Sequence, residues 1–263
     1  MSVVALMNQN EAFDPAQEAL IEPGKVVAAV PDFPKVAVTT FAKSIIDGLV
    51  ARENPPVIGN LHMASGDYPV YRLVYKGVPV AVYLSMVGAP PSAAQMEEVI
   101  AMGARAFLAF GSCGVLNAGI AAQQVMVPTQ AVRDEGTSHH YLPPAEVIDL
   151  DAACVAAVTD TLRLLGCQCA KGKVWTTDAF YRETREKMKR RAGQGCVAVD
   201  MECSALAAVA RFRGVKYGQF LFTDDNLDAP EWERRTLGKN GDTHSGRYMM
   251  LAMECALRLA EGL

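Results

Sequence analysis

Residues 197–228 read VAVDMECSALAAVARFRGVKYGQFLFTDDNLD and constrain the fold more than any other stretch. Val197-Ala198-Val199 is a short strand, followed by an acidic pair, Asp200 and Glu202, with Met201 between them. The small residues from Cys203 to Ala210 predict a helix able to pack closely in a core. Arg211 and Arg213 fall in its last turn, where cations suit the helix dipole, and Gly214 can end it. Tyr217–Phe222 is a second buried strand that runs into Thr223-Asp224-Asp225-Asn226. Two acidic groups therefore lie at the carboxyl ends of two strands joined by a helix. Ligands of open α/β sheets bind outside those ends, where a carboxylate can accept hydroxyl hydrogen bonds or deliver a proton to a leaving group. The plainer alternative is a helix cap at Asp200 and a solvated turn at Asp224-Asp225.

The rest of the chain repeats the alternation. Val36–Val38 predicts a first strand and Phe41–Val50 a helix with Lys43 near its start. Tyr68–Tyr75 and Val78–Val87 predict two strands joined at Lys76-Gly77. Ser92-Ala-Ala-Gln95 has the form of a capping box opening a helix that Gly103 closes. Ala104–Phe110 predicts a buried strand ending in a tight turn, Gly111-Ser112-Cys113-Gly114, where backbone amides and the Ser112 hydroxyl could approach an anion or a sugar. A plain glycine loop is the alternative there. Val125–Val132 carries Pro128 and predicts an edge or bulged strand. The connector Arg133–Pro144 is polar and long. Asp151–Leu165, ended by Gly166, predicts a helix, Gln168–Trp175 a strand, and Arg182–Arg191 an exposed helix. The pair Phe180-Tyr181 after that strand could stack on a planar base or sit in the core. Ser245–Leu259 predicts a last helix. The pattern predicts one α/β domain, residues 35–263, with a mixed, mostly parallel central sheet flanked by helices on both faces. Residues 1–34, with four prolines, read as an N-terminal extension.

Composition excludes several classes. A chain of 263 residues, 51% hydrophobic, can bury a full core. No apolar run approaches the ~18 residues of a membrane span, and the N-terminus lacks the form of a signal peptide, so a cytoplasmic location is expected. A net charge of −4 without a basic block argues against nucleic acid as partner. Seven cysteines show no disulfide or zinc spacing, and four histidines show no metal spacing.

Three stretches together resemble the nucleoside phosphorylase superfamily of uridine phosphorylase and the bacterial hexameric purine nucleoside phosphorylases. They are Gly111-Ser-Cys-Gly114, Thr177-Asp-Ala-Phe-Tyr181, and Val199-Asp-Met-Glu202 with Thr223-Asp224, in family order across residues 35–263. Arg133-Asp-Glu-Gly-Thr-Ser138 resembles the uridine branch, and Asp224 the purine branch. The resemblance implies a pentosyltransferase that cleaves a nucleoside with phosphate into free base and pentose 1-phosphate. It needs no cofactor or metal, with inorganic phosphate as co-substrate, and is built as a homodimer or homohexamer. It implies that Glu202 accepts hydrogen bonds from the ribose hydroxyls with Met201 against the sugar. Phe180 would pack on the base, and Ser112 would hold phosphate or ribose. Cys113 and Gly114 would line the base pocket, and Asp224 would be the general acid.

The chain departs from the family pattern at the anion site. Ala109 stands where the family has an arginine, and Lys43 stands near the place of a second. The resemblance then leaves phosphate to Gly111 and Ser112, with Lys43 or Arg133 as the cation. Two further readings follow from the departure: a nucleoside N-glycosidase of the same fold, and a non-catalytic nucleoside-binding protein.

Overall fold

The computed structural model describes residues 12–237 and 245–263. Ten strands form one mixed sheet. They are β1 (Val36–Thr40), β2 (Val57–Met63), β3 (Gly66–Tyr75), β4 (Val78–Leu84), β5 (Ala106–Val115), β6 (Val125–Asp134), β7 (Val147–Asp149), β8 (Cys169–Thr177), β9 (Cys196–Asp200) and β10 (Lys216–Asn226). Among the described residues six helices longer than two turns flank it: α1 (Lys43–Glu53), α2 (Ala89–Met102), α3 (Ala152–Leu164), α4 (Arg185–Gly193), α5 (Cys203–Arg213) and α6 (Ser245–Ala260). The α/β class and the mixed sheet agree with the sequence reading.

The sheet does more than lie open. β5 pairs with β10 in parallel and with the end of β9 antiparallel, while β10 continues through β6 and β8 back to β9. Five strands thus close a ring, and β1, β4, β3 and β2 extend from β5 as an open wing. Alternation along β5 divides the core. Phe107 and Ala109 join the cluster built with Met96, Val99 and Leu206 of α2 and α5. Ala106, Leu108 and Phe110 face Val158, Leu162 and Leu259 of α3 and α6. Small residues let α5 come close: Ala205, Ala207, Ala208 and Ala210 are all buried.

Several local expectations change. Gly111–Gly114 is not a turn but the continuation of β5, because β10 and β9 pair with it on either side. Gly114 is where three strands crowd. A Cβ there would stand 2.6 Å from Leu227 Cδ1, 3.0 Å from Asp225 Oδ1 and 3.1 Å from Val199 Cγ1. α2 begins at Ala89, ahead of the expected capping box, with Pro at its first turn. Ser92 is therefore inside the helix, and Gln95 Oε1 accepts from Met86 N at 2.7 Å. The connector after β6 contains a helical turn, Ser138–Tyr141, and β2 and β7 had no distinct sequence signal. Residues 12–34 lie against α2: Val30 N donates to Met102 O at 3.1 Å, and Phe33 is buried. Among the described residues no helix is long and apolar enough to cross a membrane.

Candidate active site

The carboxyl ends of β5, β9 and β10 open into one cavity of ≈ 670 Å³. Its wall includes Ser112, Cys113, Gly114, Phe180, Met201 and Glu202, six of the residues singled out from sequence. It also includes residues that sequence reasoning passed over: Phe41, Glu183, Arg185, Asp225 and Trp232.

The acidic pair after β9 divides its work. Asp200 Oδ1 accepts from Thr176 Oγ1 at 2.8 Å, and its Oδ2 accepts from Cys203 N at 2.7 Å and Glu202 N at 3.3 Å. It therefore caps the first turn of α5, as the plainer sequence alternative had it. Glu202 is buried and accepts from Gly88 N, 2.6 Å from Oε1, with the Met201 backbone N–H a further donor. Burial first, then the adjacent Asp200 charge, pushes its carboxyl upward from the ordinary range. Donors supplied by a ligand would favour the ionised form. Met201 is half-buried beside it.

The second acidic group is shifted by one residue. The β5–β10 register slips between Thr223 and Asp225, a bulge that leaves Asp224 unpaired with β5. Asp224 is buried away from the cavity wall, where its Oδ1 accepts from Thr236 Oγ1 at 2.7 Å. Asp225 lines the cavity instead, its Oδ2 accepting from Trp232 Nε1 at 2.7 Å. Burial raises the Asp225 carboxyl above the usual range, with the Trp232 hydrogen bond opposing. Asp224 was expected to be the acid, and it is Asp225 that stands on the wall. Arg185 braces this side, its Nη1 and Nη2 donating to Ala229 O at 2.7 Å and Pro230 O at 2.6 Å.

The aromatic pair stands at the cavity rather than in the core. The Phe180 and Tyr181 ring centroids are 4.0 Å apart, and Phe180 is 50% exposed. Cys113 is buried in the wall. Burial first, and then the Asp200, Asp225 and Asp224 charges, push its thiol well above the ordinary range, which favours the neutral form.

The two cations assigned to an anion are not brought to the cavity. Lys43, on the first turn of α1, is exposed and bonds both Asp47 carboxylate oxygens at 2.7 and 2.6 Å. Arg133 is buried and holds its own connector. Its Nε donates to Ser138 Oγ at 2.9 Å, its Nη1 to Pro143 O at 2.8 Å and its Nη2 to Ser138 O at 2.7 Å. Glu135 continues that network, accepting from Ser138 N and from Ser204 Oγ of α5. The Arg133–Ser138 stretch is therefore a brace between connector and helix. Ala109 is fully buried, and Phe41 packs on Gly111, where a Cβ would lie 2.6 Å from Phe41 Cδ2. Ser112, the next residue, is exposed in the cavity. Among the described residues no cluster of metal-ligating side chains occurs.

Comparison with known proteins agrees with this architecture. The profile of a family described as the phosphorylase superfamily matches residues 35–253. The guanosine phosphorylase of Halorubrum lacusprofundi is 29% identical over 167 residues, 62% of this chain and 68% of its own length. The uridine phosphorylase of Escherichia coli is 24% identical over 207 residues, 73% of this chain and 81% of its own length. In structure, the purine nucleoside phosphorylase of Toxoplasma gondii, solved with immucillin-H, has a TM-score of 0.72 at 23% identity, covering 86% of this chain and 92% of that one. The AMP nucleosidase of Bacteroides thetaiotaomicron has a TM-score of 0.70 at 21% identity, covering 88% and 91%. These two likenesses concern the fold. With the family profile spanning most of its length and the described elements in the same arrangement, the chain belongs to the phosphorylase superfamily.

Proposed function

We propose that this cavity cleaves the N-glycosidic bond of a nucleoside and transfers the pentosyl group to phosphate, giving free base and pentose 1-phosphate. The observation that carries the reading is the presence of Glu202 and Asp225 on the wall of one cavity lined with aromatic side chains. Cleavage builds positive charge on the sugar and negative charge on the base. A carboxylate on the ribose hydroxyls and a carboxyl with a raised pKa at the base act where those charges change. In this reading Glu202 serves the sugar and Asp225, held by Trp232, serves the base. The relatives named guanosine and uridine phosphorylase support phosphate as the acceptor.

A second reading, transfer to water, has its own observation. Ala109 carries no charge, Phe41 covers Gly111, and Lys43 and Arg133 are committed elsewhere. Phosphate would then rest on Ser112 and backbone donors at this end of the cavity, a weak cradle for a dianion, since Arg185 is held by the Ala229 and Pro230 carbonyls. The two readings part on the fate of the pentose.

Substitution tests the acid and sugar roles. Asp225→Asn is expected to lower purine nucleoside cleavage by ~10²–10⁴-fold, the usual worth of general acid help. Asp224→Asn should act on stability through Thr236 and leave the chemical step largely intact. Glu202→Ala should weaken nucleoside binding by about 1.5–3 kcal/mol for each hydroxyl bond lost. Full activity in Asp225→Asn with loss in Asp224→Asn would return the acid to Asp224.

A further inference from the structure

One carboxylate in the cavity has no role in the reaction just described. Glu183 follows the single helical turn Phe180–Arg182 and lines the wall with Phe180, Asp225 and Trp232. Its backbone N–H donates to Phe180 O at 3.1 Å, fixing it relative to the aromatic surface. Its carboxylate has no hydrogen-bond or ion-pair partner among the described residues. The neighbouring cations are engaged elsewhere: Lys187 Nζ lies 2.7 Å from Asp134 Oδ2, and Arg185 is spent on the Ala229 and Pro230 carbonyls. Arg234, also on the wall, donates to Leu237 O at 3.2 Å. Burial first, and then the Asp225 charge, raises Glu183 to about 7, with Lys187 opposing. A half-buried carboxyl left without donors is costly, and a ligand that brings donors removes the cost.

An ionised carboxylate only accepts hydrogen bonds, and its two oxygens suit two parallel donors. Adenine and cytosine set a ring acceptor beside their amino group. Uracil flanks its ring N–H with carbonyl oxygens. Guanine alone among these bases sets a ring N–H beside an exocyclic amino group. We propose that Glu183 is the specificity-determining residue for the base and selects a purine nucleoside with the guanine-type edge. An adenine edge would face a ring lone pair against the carboxylate, which rejects it as well as failing to reward it. The inference rests on the reading of the cavity as a nucleoside site.

Binding separates it from catalysis. C-nucleosides, whose glycosidic carbon–carbon bond resists cleavage, would be titrated into the full chain by calorimetry, in guanine-type, adenine-type and uracil-type forms. The guanine type is expected to bind about tenfold or more tightly than the others. Glu183→Gln should erase that preference while circular dichroism stays unchanged. In the unaltered chain the preference should shrink as pH falls from about 8 to about 6, as Glu183 takes up a proton. That arm needs no variant, and Asp225, Asp200 and Glu202 are the other carboxyls on the wall whose titration Glu183→Gln controls for. Equal binding of all three types, or a preference untouched by Glu183→Gln, would overturn the assignment even if nucleosides are cleaved. A Glu183-dependent preference without any cleavage of guanosine would keep it and remove the catalytic reading.

Discussion

Asp224 and Asp225 are chain neighbours with opposite surroundings, and a single-residue bulge decides which one reaches the cavity. The sequence shows both acids and the strand before them, but a register slip has no mark in the residue types. Glu202 and Asp200 were legible as a pair because they follow a strand and precede a helix. Their division of labour was not, since it depends on Thr176 and Gly88, which are distant in sequence. Glu183 went unread because it follows an exposed aromatic pair in a polar run and gains meaning only from burial beside Asp225. Its titration gives a prediction. The fold raises Glu183 from an ordinary 4.5 to about 7. The folded state therefore binds the proton more tightly than the unfolded one. The resulting stability is full below about pH 4.5 and lost as pH rises through about 7. Glu183→Gln removes this dependence. Urea midpoints at about pH 5 and about pH 8 should fall less between the two pH values in Glu183→Gln than in the unaltered chain. An equal fall in both would show that Glu183 is not raised in the fold.

Among the elements, β9–α5–β10 was legible almost to its ends because each signal was local: an apolar strand, a small-residue helix, and Gly214. Gly214 adopts φ 65° at the end of α5, and a Cβ there would meet nothing within 4 Å. Gly214→Ala therefore carries only the backbone cost of the left-handed region, about 1 kcal/mol. The unfolding free energy from urea titration should fall by that amount, through a lower midpoint at an unchanged slope. No shift would mean that α5 frays at its end and does not depend on this cap. β5 was cut short in the sequence reading because Gly111 and Gly114 look like turn residues. They are glycines for another reason, close approach: Phe41 lies against the first, and Leu227, Asp225 and Val199 crowd the second. Arg133 looked like a ligand-binding arginine in a polar connector, and only its carbonyl partners show it to be a brace.

At the scale of the molecule, alternating strands and helices made the α/β class legible. The closure of β5, β10, β6, β8 and β9 into a ring was not, because strand order across a sheet depends on long-range pairing. That ring brings three strand ends to one cavity and so joins residues as far apart as Ser112 and Trp232. Tyr181 and Val87 on the cavity wall are 88% and 57% exposed. We propose that a second copy of the chain covers it, as the family resemblance implies for a homodimer or homohexamer; a monomer mass by sedimentation would exclude this. Pentosyl transfer from a nucleoside to phosphate is decided by product identity. Purified protein would be incubated with guanosine, with and without phosphate, and the products resolved by chromatography and phosphorus NMR. Guanine and a pentose 1-phosphate are expected in equal amounts, only when phosphate is present. Free pentose at a rate indifferent to phosphate, or no release of base from guanosine, uridine or adenosine, would contradict that transfer.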